Sequence, residues 1–175
     1  IDCAPRQGEI VIPHCLSVVV PCYNEEENIA PFFERITAVL ESKEIEYEII
    51  FVDDGSKDAT VAAVEKLTEC DKRIKCLELS RNFGSHQAMM AGLSEATGNV
   101  AAVIAVDLQN PPELLPVMMQ RWSEGSHVVW ASREERTDSF ASRFSAKLFY
   151  RIIRRVAIRD YPERGVDFFL ADRLV

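Results

Sequence analysis

The sequence lacks the features that mark the most familiar ligands and compartments. Its 175 residues include only seven glycines, and these build neither G-x-G-x-x-G nor a P-loop, so no conventional nucleotide fingerprint is present. The five cysteines (Cys3, Cys15, Cys22, Cys70 and Cys76) show no C-x-x-C and no metal-finger spacing. Their odd number points to free thiols, small and buried or half-buried, in a reducing compartment. No window reaches the apolar length of a membrane-spanning helix, and residues 1–15 hold no sustained apolar core of the kind a signal peptide needs. There is no low-complexity linker. A net charge of −8 argues against a general nucleic-acid binder. One segment is short of acid instead: 139–159 carries Arg143, Lys147, Arg151, Arg154, Arg155 and Arg159 without a single carboxylate.

What is present is regular alternation. Apolar, β-branched runs at 16–20, 47–52, 74–79, 100–106 and 127–131 predict five strands. Between them, helical spacing of apolar residues predicts helices over 25–41, 58–70 and 85–97, with Gly98 as a left-handed terminator of the third. Pro111-Pro112 opens the next helix, where a missing N–H costs little. The β-α unit thus recurs about five times. The expected fold is α/β: a mostly parallel sheet, Rossmann-like, with helices on both faces. Ligands of such sheets bind beyond the carboxyl ends of the strands. The residues just after each strand are therefore the candidates: 21–25, 53–56, 81–86, 107–109 and 133–136.

Several of these carry chemistry. Asp53 and Asp54 close the second strand; one acid would suffice to cap the next turn, so the pair points to a ligand, and a carboxylate there can accept from a nucleobase N–H or a ribose hydroxyl. Arg81, in Arg81-Asn82-Phe83-Gly84, stands beside the positive end of a helix, suited to an anion, unless the stretch is merely a tight turn. Asp107 and Gln109 lie two apart, so in an extended segment they project to one side and offer oxygens to Mg²⁺ or Mn²⁺. A substrate diphosphate would complete that shell, with Asn110 left as the cap of the Pro111 helix. Segment 139–159 interleaves its basic residues with Phe140, Phe144, Leu148, Phe149, Ile152, Ile153 and Val156. That pattern suits a helix lying on anionic lipid, or a solvated helix packing its apolar stripe on the domain.

Six motifs in order, PCYNEEENI (21–29), VDDGSKDAT (52–60), SRNFGSHQA (80–88), VDLQNPPE (106–113), SREER (132–136) and DFFLADR (167–173), give a resemblance that covers nearly the whole chain. The sequence resembles family 2 glycosyltransferases of the GT-A fold, and within them the polyprenyl-phosphate sugar transferases. The resemblance implies that Pro21, Tyr23 and Glu25 frame the nucleobase and ribose with Asp53 and Asp54 beside them, and that Arg81 belongs to the same nucleotide-sugar site. It implies that Asp107 and Gln109 hold Mg²⁺ or Mn²⁺ against the donor diphosphate. Arg133 and Arg136, with Arg143 and Lys147 as further candidates, would meet the acceptor phosphate, and Asp167 would stand close to the sugar. Two positions depart from the pattern: Ala105 replaces the first carboxylate of a D-x-D, and Phe169 stands where the family often has Arg.

The implied function is transfer of a sugar from a nucleoside-diphosphate sugar, UDP ahead of GDP, to polyprenyl phosphate at the cytoplasmic face of a membrane. The protein would be peripheral, held to the membrane surface through 139–159, with a homo-oligomer allowed. The implied organisation is an N-terminal extension over 1–15 and a catalytic domain over 16–175, truncated before a membrane or oligomerisation segment. Three alternatives stay open: a glycosyltransferase with a hydroxyl acceptor, in which Asp167 serves as base; a non-catalytic nucleotide-sugar-binding module, motivated by Ala105 and Phe169; and, distantly, a phospho-receiver domain built on Asp53-Asp54.

Overall fold

The computed structural model describes residues 15–131 and 168–175. The chain runs β1 (Leu16–Cys22), α1 (Glu26–Ser42), β2 (Tyr47–Asp53), α2 (Thr60–Cys70), β3 (Ile74–Glu78), α3 (Ser85–Glu95), β4 (Val100–Val103), a 3-10 turn (Pro112–Leu114), α4 (Leu115–Ser123), β5 (Val128–Trp130) and β6 (Phe169–Asp172). The strands form one sheet in the order β3-β2-β1-β4-β6-β5. β1, β2, β3 and β4 pair in parallel, while β6 runs antiparallel between β4 and β5. The sequence reading did not contain β6. It is four residues long, and the alternation rule that finds β-α-β units carries no signal for an antiparallel strand inserted among parallel ones.

Helices cover both faces of the sheet. On one face α1, α2 and α4 bury Ile29, Phe32, Ile36, Leu40, Val64, Leu115 and Met118 against Leu16, Val18, Val20, Ile49 and Phe51. On the other, α3 lays Ala88 over Val19, Ile50, Val52 and Val103, a thinner layer. The predicted helices begin or end within two residues of the observed ones. β4 is shorter than the predicted strand, stopping at Val103 rather than Val106.

Pro21 lies within β1, a central strand, where a proline usually breaks a ladder. It is tolerated because of where β4 ends. Val19 accepts Ile104 N–H on the β4 side, and Pro21, two residues on, faces the same side after β4 has left the sheet. No partner there asks for its missing N–H.

The amino edge of the sheet holds a buried polar knot. One oxygen of Glu48 accepts from Ser17 Oγ at 2.6 Å and from Thr97 N–H and Oγ1 at 2.7 Å each; the other pairs with Lys75 Nζ at 2.7 Å. Ser17 Oγ in turn accepts Gly98 N–H at 2.8 Å. Burial pushes the Glu48 carboxyl up, but the bonds from Lys75, Ser17 and Thr97 outweigh it and hold the group at about 2. Gly98 is thus no left-handed terminator: its φ is not positive and α3 stops at Glu95. It is glycine because a Cβ there would collide with the Cys15 carbonyl oxygen and with Ser17.

Candidate functional site

At the opposite, carboxyl edge the loops after β1 and β2 are laced together. Asn24 N–H donates to Ser56 Oγ at 2.8 Å, and Asn24 Oδ1 accepts Lys57 N–H at 2.8 Å. Glu25 N–H donates to Thr60 Oγ1 at 2.8 Å, and Glu26 Oε2 accepts Ala59 N–H at 2.7 Å. Asp58 braces the start of α2 by accepting Thr60 N–H. Asn24, Asp58 and Thr60 are scaffold that the sequence reading passed over, with only their turn-forming type as a clue, and Ser56 joins them. The lacing makes Pro21, Tyr23 and Glu25 a fixed rim. Tyr23 is 41% exposed. Glu25 is half-buried, its carboxylate accepting from Asn28 at 2.6 Å.

The two adjacent aspartates separate completely. Asp54 accepts Phe83 N–H at 2.7 Å and Gly84 N–H at 2.9 Å, one on each oxygen, so its carboxylate pins the loop before α3. Gly55, at φ +72°, lets that loop come close: a Cβ there would lie 2.6–2.8 Å from the Arg81 and Asn82 backbone. Asp54 does not cap α2, whose N-cap is Ala59, although one acid of the pair would have sufficed for that task. Asp53 accepts Ser56 N–H on Oδ2 at 2.9 Å, whereas its Oδ1 is buried with no hydrogen-bond partner. Its surroundings are thiols held neutral. Burial, and then the Asp53 charge, push the Cys22 thiol far up and the Cys76 thiol up to about 11. Of the four described cysteines, all free, Cys15, Cys22 and Cys76 are buried or half-buried as expected and Cys70 is exposed; Cys3 lies outside the described residues. Arg81 is exposed, its guanidinium 4.6 Å from the Phe83 ring centroid.

Asp107 and Gln109 follow β4, on the other side of β1 from Asp53. The expectation of an extended segment projecting both to one side fails. The chain turns here: Leu108 has φ +56°, and Asp107 Oδ1 accepts Gln109 N–H at 3.0 Å. Nor does any side chain cap the turn at Pro112, the task expected of Asn110, which is buried. The loop is tied to α1 by a two-pronged Arg35–Glu113 ion pair, 2.9 Å at each prong. Asp107 and Gln109 are both exposed. Among the described residues no group of three His, Cys, Asp or Glu side chains could hold a metal. Asp107 thus offers a single exposed carboxylate, a hard oxygen donor of the kind Mg²⁺ or Mn²⁺ takes, and no closed protein cage is formed around it by the described residues.

At the far end of the same edge, Trp130 closes β5 and Phe169 opens β6, with ring centroids 5.4 Å apart and planes at 46°. Asp172, at the other end of β6, accepts Trp122 Nε1–H at 2.8 Å and ties α4 to the sheet. Arg133, Arg136, Arg143, Lys147 and Asp167, and the whole segment 139–159, lie outside the described residues. Of the expected site, the structure gathers Pro21, Tyr23, Glu25, Asp53 and Arg81 around the β1–β2 edge, sets Asp107 and Gln109 beyond β1, and gives Asp54 to the scaffold.

The loops after β1, β2 and β4 thus meet at the carboxyl edge of a mostly parallel α/β sheet, the place where ligands of such sheets bind. Residues 17–172 match Glycosyl transferase family 2, and the chain belongs to that family. It is 42% identical over 161 residues to an uncharacterized glycosyltransferase of Synechocystis, covering 91% of this chain and 51% of that protein. It is 38% identical over 161 residues to the bactoprenol glucosyl transferase of Shigella phage SfV, covering 91% of this chain and 52% of that one. Its fold matches that of glucosyl-3-phosphoglycerate synthase from Mycobacterium tuberculosis, solved with Mn²⁺, UDP and phosphoglyceric acid (TM-score 0.64, 19% identity, 92% of this chain and 56% of that one). That neighbour has the GT-A fold, which is the fold of this chain. The chain spans about half the length of the curated relatives it matches. No helix among the described residues is long and apolar enough to cross a membrane.

Proposed function

We propose that this chain is the donor-binding domain of a glycosyltransferase that moves a sugar from a uridine-diphosphate sugar to a polyprenyl phosphate. The observation that carries the donor half is the Asp53 carboxylate. Oδ2 already accepts Ser56 N–H, so Oδ1 is the oxygen that has no partner. A uracil ring offers one N–H between two carbonyls and matches one acceptor. Guanine presents two adjacent donors, which a carboxylate meets best with both oxygens, and one of these already holds Ser56 N–H. Tyr23 and Glu25 frame the base and ribose, and Arg81 supplies a cation on the same rim. Asp107, with Gln109 beside it, would hold Mg²⁺ or Mn²⁺ against the diphosphate. A divalent ion there would neutralise the charge that develops on the leaving diphosphate.

The acceptor half rests on the relatives named bactoprenol glucosyl transferases. A lipid phosphate is itself an anionic nucleophile near neutral pH, since the second pKa of a phosphate monoester is about 6. The reaction then requires no strong general base. It requires cations to hold the phosphate, the role of Arg133, Arg136, Arg143 and Lys147, and a carboxylate near the cationic sugar, the role of Asp167. The basic, apolar-striped segment 139–159 would bring the site to the cytoplasmic face of the membrane as a peripheral contact, with self-association allowed.

The test is transfer of radiolabelled glucose from UDP-glucose to polyprenyl phosphate in detergent micelles, with Mn²⁺. Label in the organic phase is the expected result. Label appearing only on soluble hydroxyl acceptors would overturn the lipid assignment. A second reading, donor binding without turnover, is favoured by Ala105 and Phe169. It predicts nucleotide binding of equal strength in Mn²⁺ and in chelator, with no product on either acceptor.

A further inference from the structure

Three non-glycine residues among the described ones hold a left-handed backbone: Asn24, Glu44 and Leu108, at φ +55°, +54° and +56°. Two of them have a local cause. Asparagine tolerates that region, and the Asn24 side chain accepts Lys57 N–H. Glu44 closes α1: its N–H donates to the Glu41 carbonyl and Ile45 N–H to the Leu40 carbonyl, the common left-handed end of a helix. Neither cause applies to Leu108. It ends no helix, and its side chain has no polar atom to bond the backbone. A Cβ makes this conformation costly, so the surroundings must impose it. What imposes it is packing. Val106 is buried, Leu108 is half-buried against the core cluster shared by α1 and α4, and Asn110 is buried. Asp107 and Gln109, between them, are exposed. Beyond the turn, Pro112 is buried and the Arg35–Glu113 ion pair ties the loop to α1.

We propose that Leu108 is a positioning residue: its side chain, seated on the core, holds the left-handed turn that brings the Asp107 carboxylate out at the carboxyl edge of the sheet. The inference rests on the reading above in which Asp107 serves a divalent ion against the donor diphosphate. A glycine at this position would adopt the same φ without strain, yet would leave the turn unanchored. Leucine accepts the strain and supplies the anchor, so the turn is set before any ligand arrives. Asp107 Oδ1 accepts Gln109 N–H at 3.0 Å, across Leu108, so this bond closes only while the chain turns there. A metal that takes only one or two protein carboxylates depends on where each of them is held, and a residue locked by packing holds it best.

The test compares the wild type with Leu108→Met and Leu108→Val. Methionine keeps an unbranched Cβ and nearly the same volume, whereas valine is apolar but β-branched and fits a left-handed backbone worst. The first readout is amide exchange of Gln109 in the protein without metal or nucleotide. Leu108→Met should match the wild type, and Leu108→Val should exchange about tenfold faster. The second readout is calorimetric affinity for UDP in Mn²⁺ and in chelator. Leu108→Met should keep the tightening of about tenfold by Mn²⁺, and Leu108→Val should lose most of it. Affinity in chelator should be the same in all three, since the Asp53 side of the site is untouched. Gln109 exchange as slow in Leu108→Val as in the wild type overturns the inference, and so does an undiminished Mn²⁺ effect in that variant. Equal losses of affinity in Mn²⁺ and in chelator would make Leu108 a structural residue only and overturn it as well. If wild-type binding does not respond to Mn²⁺, the metal role of Asp107 fails by that result, and Gln109 exchange still decides whether Leu108 holds the turn.

Discussion

At the scale of single residues, Asp53 and Asp54 show how neighbours of the same type acquire different tasks. Asp54 satisfies two backbone N–H groups of the loop before α3, while Asp53 keeps one oxygen without a partner. Asp54→Ala should therefore lower stability by about 2–3 kcal/mol, measured by urea unfolding, because two N–H groups lose a charged acceptor. Asp53→Asn should behave differently. Its amide oxygen must stay on Ser56 N–H, so the amide NH₂ faces the ligand side and replaces an acceptor with a donor. Stability should hold within about 1 kcal/mol, since a buried unpaired charge oxygen is removed. Affinity for UDP, measured by calorimetry, should fall at least tenfold. Equal loss of affinity in both variants would mean that Asp53 acts only through the scaffold.

At the scale of elements, the knot around Glu48 fastens the α3–β4 connection to β1 and β2 at the edge opposite the site. Its carboxyl sits at about 2, below the ordinary 4.5 of a glutamate. A depressed acid contributes stability above its unfolded pKa and loses it as pH falls through the folded one. The contribution is on the order of 2–3 kcal/mol, complete above pH 4.5 and lost progressively between 4.5 and 2. Unfolding free energy followed against pH should drop in that window, and the drop should be smaller in Glu48→Gln. This knot also explains why Gly98 misled a local reading. A glycine after a helix looks like a left-handed terminator, but the constraint here comes from Cys15 and Ser17, more than eighty residues away in sequence. The strands and helices themselves were legible because apolar periodicity is local. The antiparallel β6 was not, because pairing direction is decided by partners.

At the scale of the whole molecule, the central strand β1 separates two halves of the proposed site, with Asp53 on one side and Asp107 on the other. If both halves meet one nucleoside diphosphate, binding should couple to metal through a single carboxylate. Titration of the chain with UDP and GDP in Mn²⁺, Mg²⁺ or chelator should give tighter binding of UDP, strengthened about tenfold by metal, with the metal effect abolished in Asp107→Ala. Binding of equal strength in chelator would say that Ala105 has removed the metal from this site and would favour the non-catalytic reading. GDP binding as tightly as UDP would overturn the argument from the unpartnered Asp53 oxygen.

The sequence by itself determined the alternation of strands and helices, the sheet edge at which the candidate residues gather, and the short stretches after β1, β2 and β4 that line it. Each of these follows from periodicity and from turn-forming residues read over a few positions. Only the tertiary structure decided which aspartate keeps an oxygen without a partner, that the chain turns back at Asp107 instead of running on extended, and that Phe169 lies against Trp130. Those outcomes depend on hydrogen bonds and packing between segments tens of residues apart. A side chain's partner in space, not its neighbours in sequence, sets whether a polar atom is spent on the scaffold or left for a ligand.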